Sequence, residues 1–513
     1  MLAPRLKSSP VFRNNNGGLN IRLPAQLIED SEATIANNVF FDTSGAIQKR
    51  SGWGKLISSA VPTSNNLIGL FQGAFVSAGV IVRYVIATDG VTVYYWNGSS
   101  WSNITGGLSL TTSNSAIVSF VEMNGYVIAY DGINSPWKWN TTGNISTLAV
   151  SGAAPVGNIG IVYSNYLWFS GDPGNPNRLY YSAAGDPTTW VSTSYIDVPA
   201  VFDGDQITGL AILYGDLIIF KRYSIYILRG TDPNSFTLIK NNSSIGCVSP
   251  YSVVAVNNFI YFVSDKGLYV VNLSNNKQVC YNVEPRYSQA VNNQLQGGAL
   301  YRNRIQSQHY RYRNQVWVAI DATTNGQDHH DRIMVHDYYN SNKAGDPAVS
   351  EYTVSTATEA APSIMADYVA SSGSPLVMAS FYDKYVYYYN EGSFTDVQGA
   401  SSTYAVKSNW QSKYFGGEDD FGWKSIRFIY TAGNLSGSGL SIKINNTVNI
   451  ASSASSVTFT PTPGTFFNGK GAVASSVLNM GRFFQFGFLS TGTSDQFTLY
   501  EYGFDYIDKG RRN

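Results

Sequence analysis

The chain has 513 residues and only four histidines, three of which fall close together, in Asp328-His329-His330-Asp331 and at His336. Imidazoles and carboxylates at this spacing are a transition-metal donor set, but such sites need a scaffold that fixes their geometry. Asn325-Gly326-Gln327 stands directly before the cluster and marks a turn, so the segment is read as a solvated loop between strands, with no metal. Glu418-Asp419-Asp420 offers the paired carboxylates of glycoside hydrolysis, yet it follows Gly416-Gly417, and charge runs in such loops face water. The chain has no Gly-rich phosphate loop, nucleophile elbow or zinc-protease motif. The expectation is no catalytic residue, no metal, no cofactor, and no enzyme.

The densest basic run is Tyr301-Arg302-Asn303-Arg304 followed by His309-Tyr310-Arg311-Tyr312-Arg313. Alternating Tyr and Arg can stack on nucleic acid or neutralise its phosphates. The same pattern suits a strand whose Arg302, Arg304, Arg311 and Arg313 face a neighbouring subunit's acids. The interface reading is favoured.

These residues are carried on a repeated unit running from Leu67 to about Asn390. Ile117-Val118-Ser119-Phe120-Val121 meets Asn124-Gly125 and returns as Tyr126-Val127-Ile128-Ala129-Tyr130, a strong short-range hairpin signal. The pattern recurs at Gly209–Phe220 and Ser252–Val263, and more weakly at Ile159–Phe169. Further strands follow behind a Gly, as in Gly267-Leu268-Tyr269-Val270-Val271. Three or four short strands every ~40–50 residues is the period of a β-propeller blade, and six to eight blades fit this spacing.

Composition agrees with an all-β fold. Aromatics are 14% and charged residues 13%, with 36 Tyr and 48 Gly, a profile of pleated surfaces and tight corners and not of disorder. Lys+Arg and Asp+Glu are both 34, so no global field draws the chain to nucleic acid or an anionic membrane. So many aromatics with so little charge suggest surface covered by partner subunits. Cys247 and Cys280 fall on neighbouring strands of one blade and are expected to be small buried hydrophobes, not a disulfide. The start of the chain lacks the apolar core of a signal peptide, and no stretch approaches ~20 apolar residues, so the expectation is synthesis in a cytoplasm with no membrane span.

Ahead of the repeats, Gly17-Gly18-Leu19-Asn20-Ile21-Arg22-Leu23 reads as extended chain, and the acids of Ile28-Glu29-Asp30-Ser31-Glu32-Ala33 mark the start of a short helix. Ala36-Asn37-Asn38-Val39-Phe40-Phe41 reads as a strand, and Ser44-Gly45 turns into Ala46-Ile47-Gln48-Lys49-Arg50-Ser51-Gly52-Trp53. This opening, followed by a Tyr/Trp-rich repeat region, resembles the nozzle (packaged-DNA stabilisation, or tail tubular) proteins of short-tailed bacteriophages. The resemblance covers about the first 55 residues and the overall architecture.

The resemblance implies a homo-hexameric ring below the portal and adaptor, in the virion tail beside fibres or spikes. The ring forms the DNA channel, helps retain the packaged genome, and contacts viral DNA only transiently and without sequence preference. Asn20, Arg22, Lys49, Arg50 and Trp53 are then candidates for an adaptor or subunit interface. The predicted organisation is an N-terminal extended docking segment over 1–60 that completes the β-domain, a propeller over 61–397, and a C-terminal β-sandwich over 398–513. The alternative is a carbohydrate-binding or carbohydrate-degrading tail propeller whose exposed Trp and Tyr stack on sugars.

Overall fold

Asn124 and Gly125 take φ of 52° and 76°, the left-handed pair a two-residue hairpin turn requires, and Ser119–Met123 pairs with Tyr126–Tyr130 across them. In the computed structural model the described residues are 6–510, apart from 10, 14, 16, 43, 78, 113–115, 202–203, 242–243, 275–276, 283–302, 321–329, 340–347, 355–360, 417–422, 437–439, 448–454, 460–465 and 473–479.

Among the described residues the repeats form seven antiparallel units of four strands. The first strands of successive units touch in turn, and Ile364–Val369 of the seventh meets Gly69–Ser77 of the first, which closes the ring. The molecule is a seven-bladed β-propeller, within the predicted range. Two glutamines act as peptide mimics at the seams. Gln72 donates to the Val369 carbonyl (3.1 Å) and accepts its N–H (2.7 Å), while Gln306 donates to the Ser363 carbonyl (2.6 Å) and accepts from Met365 N–H (3.0 Å). The wedges between blades hold apolar cores, such as Trp137, Trp139, Val127 and Ile86 between the first and second, and the one between the fifth and sixth is continuous with the sandwich core.

The seventh blade is closed from the far end of the chain. Its outermost strand is Gly52–Lys55, paired antiparallel with Tyr387–Asn390. Glycine is required at 52, because a Cβ there would lie 1.9 Å from the Thr395 carbonyl oxygen.

The second part is a β-sandwich, but it is not confined to 398–513. One sheet contains Gln496–Gly510 and Trp423–Ser436, joined by Leu6–Ser8, Val39–Phe41 and Ile47–Lys49. The other contains Ser408–Phe415, Phe483–Ser490 and Leu440–Thr447, joined by Glu32–Asn37 and Gly18–Leu19. Through Asn37, beside Glu351, it continues into the sixth blade. The two sheets bury Trp410, Phe486 and Phe488 against Phe12, Tyr502 and Phe504, in a core that also takes in Val316 and Val318 of the sixth blade.

Two local expectations are corrected. The acids near Glu29 start no helix: Glu32 begins a strand, and its carboxylate accepts from the Asn20 amide and Glu29 N–H, both at 2.8 Å. The predicted sandwich range from 398 also begins too early, since Ser402–Ala405 pairs back on Thr395–Gln398 as a separate hairpin.

Candidate functional site: the junction of propeller and sandwich

Arg50 follows the sandwich strand Ile47–Lys49 and precedes the blade-closing strand Gly52–Lys55, so its side chain enters where the two parts meet. The guanidinium is fully buried and every arm is bonded. Nε donates to Asn38 Oδ1 (2.7 Å), Nη1 to the Ser51 carbonyl (2.8 Å) and Asp396 Oδ1 (3.0 Å), and Nη2 to the Thr353 carbonyl and Asp396 Oδ2 (both 2.7 Å). Asp396 Oδ1 also takes the Trp53 N–H at 3.1 Å. One bidentate pair therefore ties the N-terminal segment, the outer edge of the sixth blade, the closure of the seventh and the hairpin after it. Burial works against the Arg50 charge, but the Asp396 carboxylate overcomes it and holds the pKa above its ordinary value.

A second carboxylate hub lies one residue away. Glu391 accepts from Arg313 Nε (2.7 Å) and Nη2 (2.5 Å), from the Tyr310 hydroxyl (2.5 Å) and from Ser51 Oγ (3.0 Å). Burial pushes the Glu391 carboxyl up, yet Arg313 and these donors bring it below the usual range, so it stays ionised. Around both hubs Trp53, Trp317, Tyr310, Tyr352 and Tyr389 pack edge to face, with Trp53 and Tyr389 ring centres 5.4 Å apart and Trp317 and Tyr389 4.9 Å apart. The arrangement clamps: both carboxylates are committed to guanidinium groups.

The structure brings together Arg50 and Trp53, and adds Arg313 through Ser51 and Glu391. It does not put the N-terminal candidates on a surface. Asn20, Lys49, Arg50 and Trp53 are buried within the chain, and of the five only Arg22 is exposed. Lys49 points into the sandwich, where Nζ donates to Ser490 Oγ and the Gly492 carbonyl at 3.0 Å, and burial lowers its pKa to about 8. The resemblance suggested a contact surface, and the sequence does not reveal that Asp396 and Ser490, hundreds of residues on, supply partners to Arg50 and Lys49.

The basic run is likewise dispersed. Arg302 lies outside the described residues, Arg304 is half-buried, and Arg311 is exposed at 4.0 Å from Asp367. Arg313 is held by Glu391 of its own chain, against the Phe40 ring, and needs no neighbour's acid. Asp328, His329 and the Glu418-Asp419-Asp420 cluster lie outside the described residues. His330 and His336 are buried and not solvated; His330 Nδ1 donates to the Pro362 carbonyl at 3.1 Å, and burial drives its pKa down to about 4. Among the described residues no three His, Cys, Asp or Glu side chains gather as a metal site. Cys247 is a buried free thiol whose pKa burial raises to about 11; the Cys280 side chain lies outside the described set.

No family model and no curated protein matches this chain. Solved structures that overlay on it include YCF48 from Cyanidioschyzon merolae, at 12% identity over 66% of this chain and 99% of that one with a TM-score of 0.39. The N-terminal domain of Nup159 overlays at 12% identity over 69% and 98% with a TM-score of 0.41. The computationally designed protein Ika8 overlays at 10% identity over 66% and 99% with a TM-score of 0.33. The propeller assignment itself stands on the strand pairing and the closed ring described above. No helix among the described residues is long and apolar enough to cross a membrane.

The junction was missed as a site because its two carboxylates, Asp396 and Glu391, sit where the repeat fades. The available signal was Lys49-Arg50-x-Gly-Trp53 itself: adjacent cations beside a Gly and a Trp, a combination that burial can explain as well as exposure.

Proposed function

We propose that this chain is a structural component of a bacteriophage tail: a ring-forming nozzle below the portal and adaptor that forms the DNA channel, helps retain the packaged genome and conducts it during ejection. The observation that carries the reading is the position of the family-like opening. The residues on which the resemblance rests, from Gly17 to Trp53, join both sheets of the sandwich and close the seventh blade. In a protein whose work is to hold its shape against internal pressure, the recognisable segment is expected at the keystone of the fold. A closed blade ring also protects its strand edges, which suits a rigid spacer among many neighbours. Copies around a tube would make head-to-tail contacts that close by rotation.

Deletion of residues 1–55 removes strands from both parts of the molecule, so it tests folding and not assembly. The clean test is cryo-microscopy of the intact particle. Six copies around the tail axis, between adaptor and distal tip, are expected; copies confined to a fibre or spike, or absent from the tail, would overturn the proposal.

A further inference from the structure

The first blade carries a hairpin that outgrows its sheet. Gly69–Ser77 and Val80–Thr88 are nine residues each, against three to seven in the first and second strands of the other blades. The third strand, Val93–Trp96, pairs only with Val85–Thr88, and on the other edge Glu122 Oε1 takes the Ala74 N–H at 3.1 Å. Phe75–Ser77 and Val80–Val82 therefore stand beyond the blade as a two-stranded ribbon, about 10 Å long at ~3.3 Å per residue. We propose that this ribbon is a membrane-contact element, whose tip enters a lipid bilayer surface to the boundary between headgroups and acyl chains.

The tip is uncharged and apolar on both sides. No Asp, Glu, Lys or Arg occurs from Phe71 to Val82. Val76, Val80 and Ile81 are 76%, 63% and 58% exposed. Val76 pairs with Ile81, so both lie on one face of the ribbon, and alternation sends Val80 to the other. A ridge that docks on a folded partner offers it one apolar face; a tip apolar on both faces matches a medium that surrounds it. Projecting edges of this kind are normally blunted by Lys, Pro or a bulge, yet here the register runs unbroken from Gly69 opposite Thr88 to Ser77 opposite Val80.

Charge and depth agree with a bilayer surface. Arg83, the first charged residue below the tip, is exposed, and with the tip inserted its guanidinium lies at headgroup level, where lipid phosphates are its counter-ions. Shallow apolar insertion reaches ~5–10 Å, the length of the ribbon, and leaves the outer backbone groups within reach of headgroup water. Three projecting residues per strand fall far short of the ~9–11 of a spanning strand, so this is a contact and not a crossing. The base is stiff: the Phe75 and Tyr84 rings lie 5.8 Å apart, and 6.3 and 5.7 Å from Trp139 of the second blade. The tip is thus presented preformed, with little ordering cost on insertion. The contact does not depend on ring assembly, so the isolated full-length chain tests it.

The test is flotation of the full chain with vesicles of phosphatidylethanolamine and phosphatidylglycerol, beside vesicles of phosphatidylcholine alone. The chain is expected to float with both. The Val76→Ser/Val80→Ser/Ile81→Ser triple variant, folded by its unchanged melting curve, is expected to partition at least roughly tenfold more weakly into both. Arg83→Gln should weaken binding about fivefold on the phosphatidylglycerol vesicles and leave phosphatidylcholine binding unchanged. Failure of the wild-type chain to float, or equal flotation by the serine variant, would overturn the proposal. So would sedimentation showing that the lipid-free chain self-associates through the tip, with that association lost in the serine variant, because the apolar surface would then belong to a second copy.

Discussion

The second blade and the seventh share a strand count and order but are specified in opposite ways. The second is contiguous, from Ser119 to Thr147, and its register follows from the Asn124-Gly125 turn and the alternation beside it. The seventh takes three strands from Ile364–Asn390 and the fourth from Gly52–Lys55, with no turn to align them. There a buried Arg–carboxylate hub does what a tight turn does elsewhere. Where local chemistry cannot set the pairing, directional bonds between distant residues do.

The sharpest contrast should come from two aspartates. Asp396→Ala strands the fully buried Arg50 guanidinium and is expected to cost ~3–5 kcal/mol, read as a drop in urea midpoint. Asp197→Ala, which removes the exposed partner of Arg178, should be indistinguishable from wild type in the same experiment. A glycine pair gives the next effect. Gly52→Ala forces a Cβ onto the Thr395 backbone and should cost ~1–3 kcal/mol, with loss of protection in Tyr387–Asn390. Gly125→Ala meets nothing within 4 Å, so only its positive φ is penalised, at ~1 kcal/mol.

Acid should weaken the closure side of the ring. His330, against the seventh blade's Tyr382, takes its proton near pH 6.5 when unfolded but only near 4 in the native state, because burial disfavours the charge. The unfolded chain therefore binds more protons over that interval, and stability falls as pH drops from about 6.5 to 4. His330→Gln is expected to flatten this part of a stability–pH curve, and an unchanged slope would remove His330 from the account. The smallest effect is a gain in a local blade: Tyr214 holds a left-handed φ of 52° in the fourth blade's turn, and Tyr214→Asn should add about 0.5 kcal/mol by thermal melting.

The blades were legible in the sequence because their information is local. Asn124-Gly125, Tyr214-Gly215 and Asn257-Asn258 name their turns, and the runs beside them alternate with period two. The weave of the chain ends was not legible. Gly17 to Lys55 pairs with strands some 400 residues later, and nothing in the order of residues tells Ala36 that it faces Trp410. Burial of cations was the other blind spot. Lys49 and Arg50 read as surface because their partners, Ser490 and Asp396, lie far off in sequence. The abundant aromatics read as partner-covered surface; many of those described, Trp53, Trp168, Trp317 and Trp410 included, fill the wedges between blades and the sandwich core.

Hydrogen exchange on the full chain tests most directly whether the chain ends bind propeller and sandwich into one cooperative body. Amides of Gly52–Lys55, Tyr387–Asn390 and the sandwich strand Trp423–Ser436 are expected to open together, at one shared free energy that Asp396→Ala lowers for all three. Rapid exchange at Gly52–Lys55 while the sandwich strand stays protected would contradict it.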